Sequence, residues 1–495
     1  MMPMASRKSV LLLLLLLLEL GLAVVPAICA VHRVCIVGSG IAGASTAFFL
    51  RNYSDSNLPL DIHIFEQRDV VGGRMAMVDL AGDKFEAGAS ILHPKNLYTV
   101  GFTDLLGLKR VTESDSSAFG FWDGEKFVFR TLQPGCSVFS KKITDLLNTL
   151  AVVWRYGLSL FQMRSHVQRL LERFTQLYAA NRKAYSTVED LLRSVELYDA
   201  TQHTLADELI AEGLSAQIIN ELVTVISSHV ITRINYGQNA TLSGLAGSVA
   251  LCGSGADLWA VAGGNWRMAD GLIKYANASL YLNEKVVSIS SAKNLYNLSL
   301  ASGEVENCDA VVIATPLDEE KISFDPPIHL PDRHMQHTFV TFVRGLANAS
   351  YFNLESISSM PDLIGTLETS AVPFTSISVL KSYNDSDKAY KVFSRNAVSD
   401  DLLDLLFSRR DSTIRLDWAA YPHFKAPEHF ASFILDGQHL YYINAFENAA
   451  STIETSALAA ENVVRLLLER LSHGSLKTKV SIPVVSSDRK LYKDL

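Results

Sequence analysis

At 495 residues, with 48% hydrophobic and 19% charged side chains, the chain exceeds what one hydrophobic core organises, and two folded units are expected rather than a disordered protein. A formal net charge of -8, a pI near 5.9 and the lack of a long Lys/Arg run exclude the basic field that a nucleic-acid partner needs.

The first 30 residues read as a signal peptide. Arg7 and Lys8 supply a short basic segment, Val10 to Leu18 is unbroken apolar sequence, and Ala27 and Ala30 offer small-residue cleavage positions. An uncleaved anchor is the competing reading, disfavoured because Glu19 interrupts the run. No later stretch is long and apolar enough to span a bilayer, so the mature chain is expected in a lumen or outside the cell, with at most peripheral lipid association. Six N-x-S/T sequons, at Asn52, Asn239, Asn277, Asn297, Asn348 and Asn384, suit a chain that passes the glycosylation machinery. Of five cysteines, Cys29 leaves with the signal and no metal-ligand spacing appears. Cys35, inside an apolar strand, is expected to be a buried core thiol. A disulfide among Cys136, Cys252 and Cys308 stays open.

His32 to Val37 is an apolar run of strand type, followed by Gly38-Ser39-Gly40-Ile41-Ala42-Gly43 and a helix from Ala44 to Arg51. This is the dinucleotide fingerprint: Gly38 for the tight turn, Gly40 for close approach of a pyrophosphate, Gly43 for helix-on-strand packing. A second strand, Leu60 to Phe65, ends in Glu66, which can accept from ribose hydroxyls and would repel a 2′-phosphate. Val70-Val71-Gly72-Gly73-Arg74 follows, offering close backbone approach and a guanidinium fork for phosphate. The whole stretch resembles the N-terminal motif of the flavoprotein family that includes amine oxidases and phytoene desaturases. The resemblance implies FAD, held by Gly38, Gly40, Gly43, Glu66, Gly72, Gly73, Arg74 and Gly88.

Further along, Val167, Leu170, Leu171, Phe174, Leu177 and Tyr178 recur at helical spacing, with Arg164, Arg169, Glu172 and Arg173 mostly opposite. The stripe is read as core packing, with one wall of an apolar substrate tunnel as the functional alternative. Strands are expected around Val286 to Ile289, at Tyr296 to Leu300 and at Asp309 to Pro316, the last placing Thr315 beside the cofactor. The alternation of Thr338, Val340 and Phe342 predicts a sheet between Ser323 and His423 that covers the flavin. Leu440 to Glu447 then reads as a closing strand, with Asn444 and Glu447 toward the flavin, followed by a helix from Ser456 to Leu467.

VWRYG (153–157), INYGQ (234–238), LWAVAGGN (258–265), FDPP (324–327), WAAYPHFKAPE (418–428) and GASILHPKNL (88–97) resemble the prenylcysteine oxidase, or prenylcysteine lyase, family. The resemblance runs from about Val34 to Leu467. It implies an α/β fold: a Rossmann-type FAD-binding domain of the glutathione reductase and amine oxidase kind, with an inserted α+β substrate domain. The expected layout is a signal peptide at 1–30, cofactor segments at 31–100, 235–320 and 425–475, a helical substrate segment at 101–234, a sheet segment at 321–424, and a tail at 476–495. The implied reaction is oxidative cleavage of farnesyl- or geranylgeranylcysteine with O2 and water, in a lysosome or vacuole or after secretion. His93 and His423 are the candidates for proton handling, and Arg155 for pairing with the substrate carboxylate. No cysteine follows Cys308, so attachment of flavin through a C-terminal cysteine is excluded, and attachment through histidine is open. An amine or polyamine oxidase and a catalytically silent lipid-binding flavoprotein are the rival readings.

Overall fold

The structure, a computed structural model, describes residues 31–55, 57–112, 118–131, 147, 157, 159–215, 219, 238–252, 258–292, 295–366 and 372–472. The signal-peptide reading at 1–30, Cys136, Arg155 and the tail from 473 lie outside them.

Strand β1 (His32–Val37) is central in a five-stranded sheet, and its last four residues are buried. The chain turns through the glycine fingerprint into helix α1 (Ile41–Tyr53), then returns as β2 (Leu60–Glu66), parallel to β1. Outside β2 lies β3 (Ser279–Leu282), and on the other flank lie β4 (Ala310–Ile313) and β5 (Leu440–Tyr442), giving the order β5-β4-β1-β2-β3, all parallel. Near-continuous apolar runs such as Ala310–Ile313, buried at every position, are what a sheet covered on both faces requires. One cover is α1, which packs against both Trp266–Ala276 and the closing helix Ile453–Leu471.

Three departures from the expected elements have physical causes. The closing strand stops at Tyr442, and Ile443–Asn448 winds into a 3-10 turn that buries both Asn444 and Glu447. The closing helix begins at Ile453, because Thr452 and Thr455 form a reciprocal capping box that starts it three residues before Ser456. Cys35 is not a free core thiol. It is joined to Cys308, 273 residues away, where Val305–Cys308 closes a small four-stranded sheet beside β1. The pairing was invisible in sequence because it joins two strands by tertiary proximity alone. Cys252 is free.

A seven-stranded sheet forms the second layer. Its order is Phe407–Pro422, Met335–Ala347, Asp387–Ser394, Ser376–Asn384, Leu363–Thr366, Phe119–Trp122 and Phe127–Arg130. The alternation through Val340 and Phe342 does form a strand there, and its apolar side helps to fill a core with Val78, Leu80 and Ala389. The last two strands come from the stretch read as helical. That stretch also supplies α2 (Ser159–Thr175), running on through the turn Gln176–Tyr178 and amphipathic as expected: Leu170, Leu177 and Tyr178 are buried while Arg164, Arg169, Glu172 and Arg173 are exposed.

Candidate active site

A cavity of about 650 Å³ runs between the parallel sheet, the seven-stranded sheet and α2. One end is the dinucleotide cradle. Gly38 sits at φ +104°, and a Cβ there would lie 2.8 Å from the Ala314 carbonyl oxygen, so no other residue fits the turn. Helix α1 starts at Gly40 with no side-chain cap and no acidic residue in its first turn. Its free N–H groups therefore face the cavity, lined there by Gly40, Ile41 and Ala42. Gly43 does not line the cavity; a Cβ on it would meet the Gly38 carbonyl oxygen at 2.0 Å, so its role is the close packing of α1 on the turn.

Glu66 ends β2 buried at the cavity edge, accepting from the Ser39 N–H at 3.0 Å, the Ser39 hydroxyl at 2.7 Å and the Arg68 N–H at 3.0 Å. Gly72, Gly73, Gly88 and Thr315 also line the cavity. So does Arg74, whose guanidinium donates to the Ala420 carbonyl at 2.8 Å and pairs with Glu447. Arg74 therefore ties the glycine loop to both the substrate sheet and the closing turn.

Glu447 lies behind this wall rather than in it. Burial alone would raise its pKa, but the Arg74 and Arg333 guanidiniums and the Asn444 amide more than offset that, holding the carboxyl at about 2. Arg333 is the hub that sequence reading missed. It donates to the Asn444 carbonyl at 3.2 Å, Glu447 at 3.3 Å, Asn448 at 3.1 Å and the Tyr442 hydroxyl at 3.3 Å, and it also pairs with Asp318. No periodic pattern surrounds it, and an arginine between strands gives no signal of its own. Asn444 lines the cavity, and its Oδ1 is buried with no hydrogen-bond partner among the described residues. An orphan acceptor beside a glycine cradle and an uncapped helix N-terminus fits a bound dinucleotide with a polar ring system, which FAD is.

The other end is apolar. Leu170, Leu171 and Phe174 of α2 face Val249 and Ala250 of the helix Gly244–Cys252. The α2 stripe is thus core packing and cavity wall at once. His166 clamps the two helices, meeting Ser248 Oγ through Nε2 at 2.6 Å and Glu212 through Nδ1 at 2.9 Å.

His93 lines the cavity. Burial, reinforced by the nearby Lys95 charge, pushes its pKa down to about 4, and Nδ1 accepts from the Lys95 backbone N–H at 3.0 Å. His423 is exposed, does not line the cavity, and contacts Gln238 Nε2 at 2.8 Å. Glu454, at the start of the closing helix, lines the cavity and accepts from the Tyr98 and Thr99 N–H groups at 2.8 and 3.0 Å and from the Tyr178 hydroxyl at 2.7 Å. Its burial outweighs these donors and pushes the carboxyl up to about 7.

A prenylcysteine lyase family model matches residues 139–479, and an NAD(P)-binding Rossmann-like domain model matches residues 36–101. The chain belongs to the prenylcysteine lyase family. It is 50% identical over 445 residues to farnesylcysteine lyase of Arabidopsis thaliana, covering 88% of each chain. It is 30% identical over 469 residues to prenylcysteine oxidase 1 of Homo sapiens, covering 88% of this chain and 89% of that one. Among solved structures, cyclohexylamine oxidase from Brevibacterium oxydans is similar with a TM-score of 0.59 at 15% identity, covering 90% of this chain and all of that one. A double mutant of putrescine oxidase gives 0.57 at 14% identity, with 89% and 99% covered. The chain thus shares a Rossmann-type α/β fold with these amine oxidases.

Proposed function

We propose that the chain is an FAD-dependent thioether oxidase cleaving farnesylcysteine or geranylgeranylcysteine. The observation that carries this reading is the continuity of the cavity, which joins a dinucleotide cradle to an apolar wall in a chain half identical to a farnesylcysteine lyase. The apolar end suits a prenyl chain, worth about 0.8 kcal/mol per buried methylene. The carbon between sulfur and the allylic double bond gives up hydride readily, because both neighbours stabilise the developing cation. Bound FAD supplies the acceptor for those two electrons and delivers them to O2 as hydrogen peroxide. Water adds to the oxidised carbon, the carbon–sulfur bond breaks, and cysteine and a prenyl aldehyde leave. One O2 and one water are consumed for each peroxide, thiol and aldehyde formed.

The chain's own residues bind and orient. The α2 wall and the facing helix exclude water from the reacting carbon. His93 is neutral with its Nδ1 engaged, so its proton sits on Nε2 and the imidazole donates a hydrogen bond rather than abstracting a proton. The work is placed in a lumen of the secretory pathway, lysosomal or vacuolar, with secretion as the alternative. Supporting this are the signal-like N-terminus, the Cys35–Cys308 disulfide and the exposure of Asn52, Asn277 and Asn384.

Anaerobic addition of farnesylcysteine to the purified flavoprotein is expected to bleach the visible flavin band, and air to restore it with one peroxide per substrate. A yellow protein that farnesylcysteine leaves unbleached refutes the reading.

A further inference from the structure

Among the described residues, four cationic side chains line the cavity: Arg68, Arg74, Lys95 and Lys285. Three are engaged. Arg68 lies 3.8 Å from Glu66, Arg74 holds Glu447 and the Ala420 carbonyl, and Lys285 lies 3.2 Å from Glu320. The ammonium of Lys95 has no carboxylate partner among the described residues. Arg68 and Lys285 belong to the cradle end, where the Glu284 N–H donates to the Glu66 carbonyl at 2.8 Å. Lys95 belongs to the other end. Its carbonyl oxygen lies 3.5 Å from the Tyr178 hydroxyl, directly after α2, and its charge bears on the Cys252 thiol as well as on His93. It thus stands where the loop before helix Leu97–Leu105 meets the apolar wall, its backbone N–H held by His93 Nδ1 and its carbonyl beside Tyr178.

Lys95 is a half-buried residue of the cavity lining, and an ammonium there without a protein carboxylate suits a ligand that brings an anion. The substrate proposed above brings one anion, the α-carboxylate of its cysteine, attached to a chain that the neighbouring wall accommodates. Glu454 lines the same cavity but spends its oxygens on the Tyr98 and Thr99 N–H groups and the Tyr178 hydroxyl rather than on Lys95. We propose that Lys95 receives the substrate carboxylate and so selects free prenylcysteine over its carboxyl-blocked forms. The proposal rests on the thioether oxidase reading.

The test compares kcat/KM for S-farnesylcysteine and its methyl ester in the natural flavoprotein, in Lys95→Met, in Lys95→Arg and in Arg155→Met. A charge-assisted hydrogen bond makes the natural protein prefer the free acid on the order of tenfold to a hundredfold. Lys95→Met is expected to lose that preference through a raised KM for the acid, and Lys95→Arg to recover most of it. The proposal is overturned if the natural protein handles acid and ester alike, or if Lys95→Met keeps the preference. It also falls if Lys95→Met weakens both substrates equally, as a role in folding or against the flavin would, or if Arg155→Met alone removes the preference. A natural protein that oxidises neither substrate removes the underlying oxidase reading, a result separate from all of these.

Discussion

Arg333 and Glu447 lie 114 residues apart in the chain and meet at 3.3 Å with both side chains buried. The pair binds the loop before the substrate sheet to the 3-10 turn that carries Asn444 into the cavity. Because Arg333 also serves Asp318, Asn448 and Tyr442, its loss strands several buried acceptors at once. Breaking one side of a buried pair costs about 3–5 kcal/mol. Arg333→Met is therefore expected to lower the urea midpoint by that equivalent and to yield substoichiometric flavin. A variant with an unchanged midpoint shows that the hub contributes nothing.

The Cys35–Cys308 bond ties the central strand to the small sheet beside it. Replacing both cysteines by alanine is expected to cost about 2–5 kcal/mol, read as a lower thermal midpoint. The bond itself is checked by mass analysis of peptides from unreduced protein. Recovery of the Cys35 peptide as an alkylated free thiol contradicts it.

Burial raises Glu454, Glu86 and Glu208 each to about 7, from 4.5. In the folded chain these carboxyls hold protons that the unfolded chain releases. Their stabilising contribution is complete below about pH 4.5 and is lost as pH climbs toward 7. His93 acts oppositely: with its pKa lowered from 6.5 to about 4, it removes stability as pH falls across that interval. Glu447, at about 2, changes nothing between pH 5 and 8. Burial also raises Glu428 and lowers His439, so four carboxyls outweigh two imidazoles; the thermal midpoint should be higher at pH 5.5 than at pH 7.5, and Glu454→Gln should flatten the slope. A midpoint that rises with pH over this range contradicts the assignment.

What the sequence made legible was local. The strand His32–Val37, the glycine turn and the strand ending at Glu66 follow from short-range pattern, since each residue's role there is fixed by its immediate neighbours. The α2 stripe was legible as a helix, but sequence did not decide between core packing and cavity wall, because which element faces it depends on the helix Gly244–Cys252, far along the chain. The same holds for the Cys35 disulfide and for Arg333, whose partners are gathered by tertiary structure. His93 and His423 looked alike in sequence, each in a family-like segment beside proline. Only the fold separates them, one lining the cavity and the other exposed on the far side of Gln238.

Gly40 offers the most direct separation of folding from cofactor binding. An added Cβ there would lie 3.7 Å from Gly73 Cα, an ordinary contact, whereas the same atom on Gly43 would collide with the Gly38 carbonyl oxygen at 2.0 Å. The backbone at Gly40, φ -66° and ψ -175°, is open to any residue. Gly40→Val is therefore expected to fold, since the strain is absent. Its branched side chain, however, occupies the space in front of the uncapped N–H groups of α1, where the pyrophosphate must approach. Purified Gly40→Val should be soluble and colourless, with a far-ultraviolet spectrum like that of the natural protein, while Gly43→Val should fail to accumulate. A yellow Gly40→Val carrying one flavin per chain refutes the placement of the pyrophosphate at this turn.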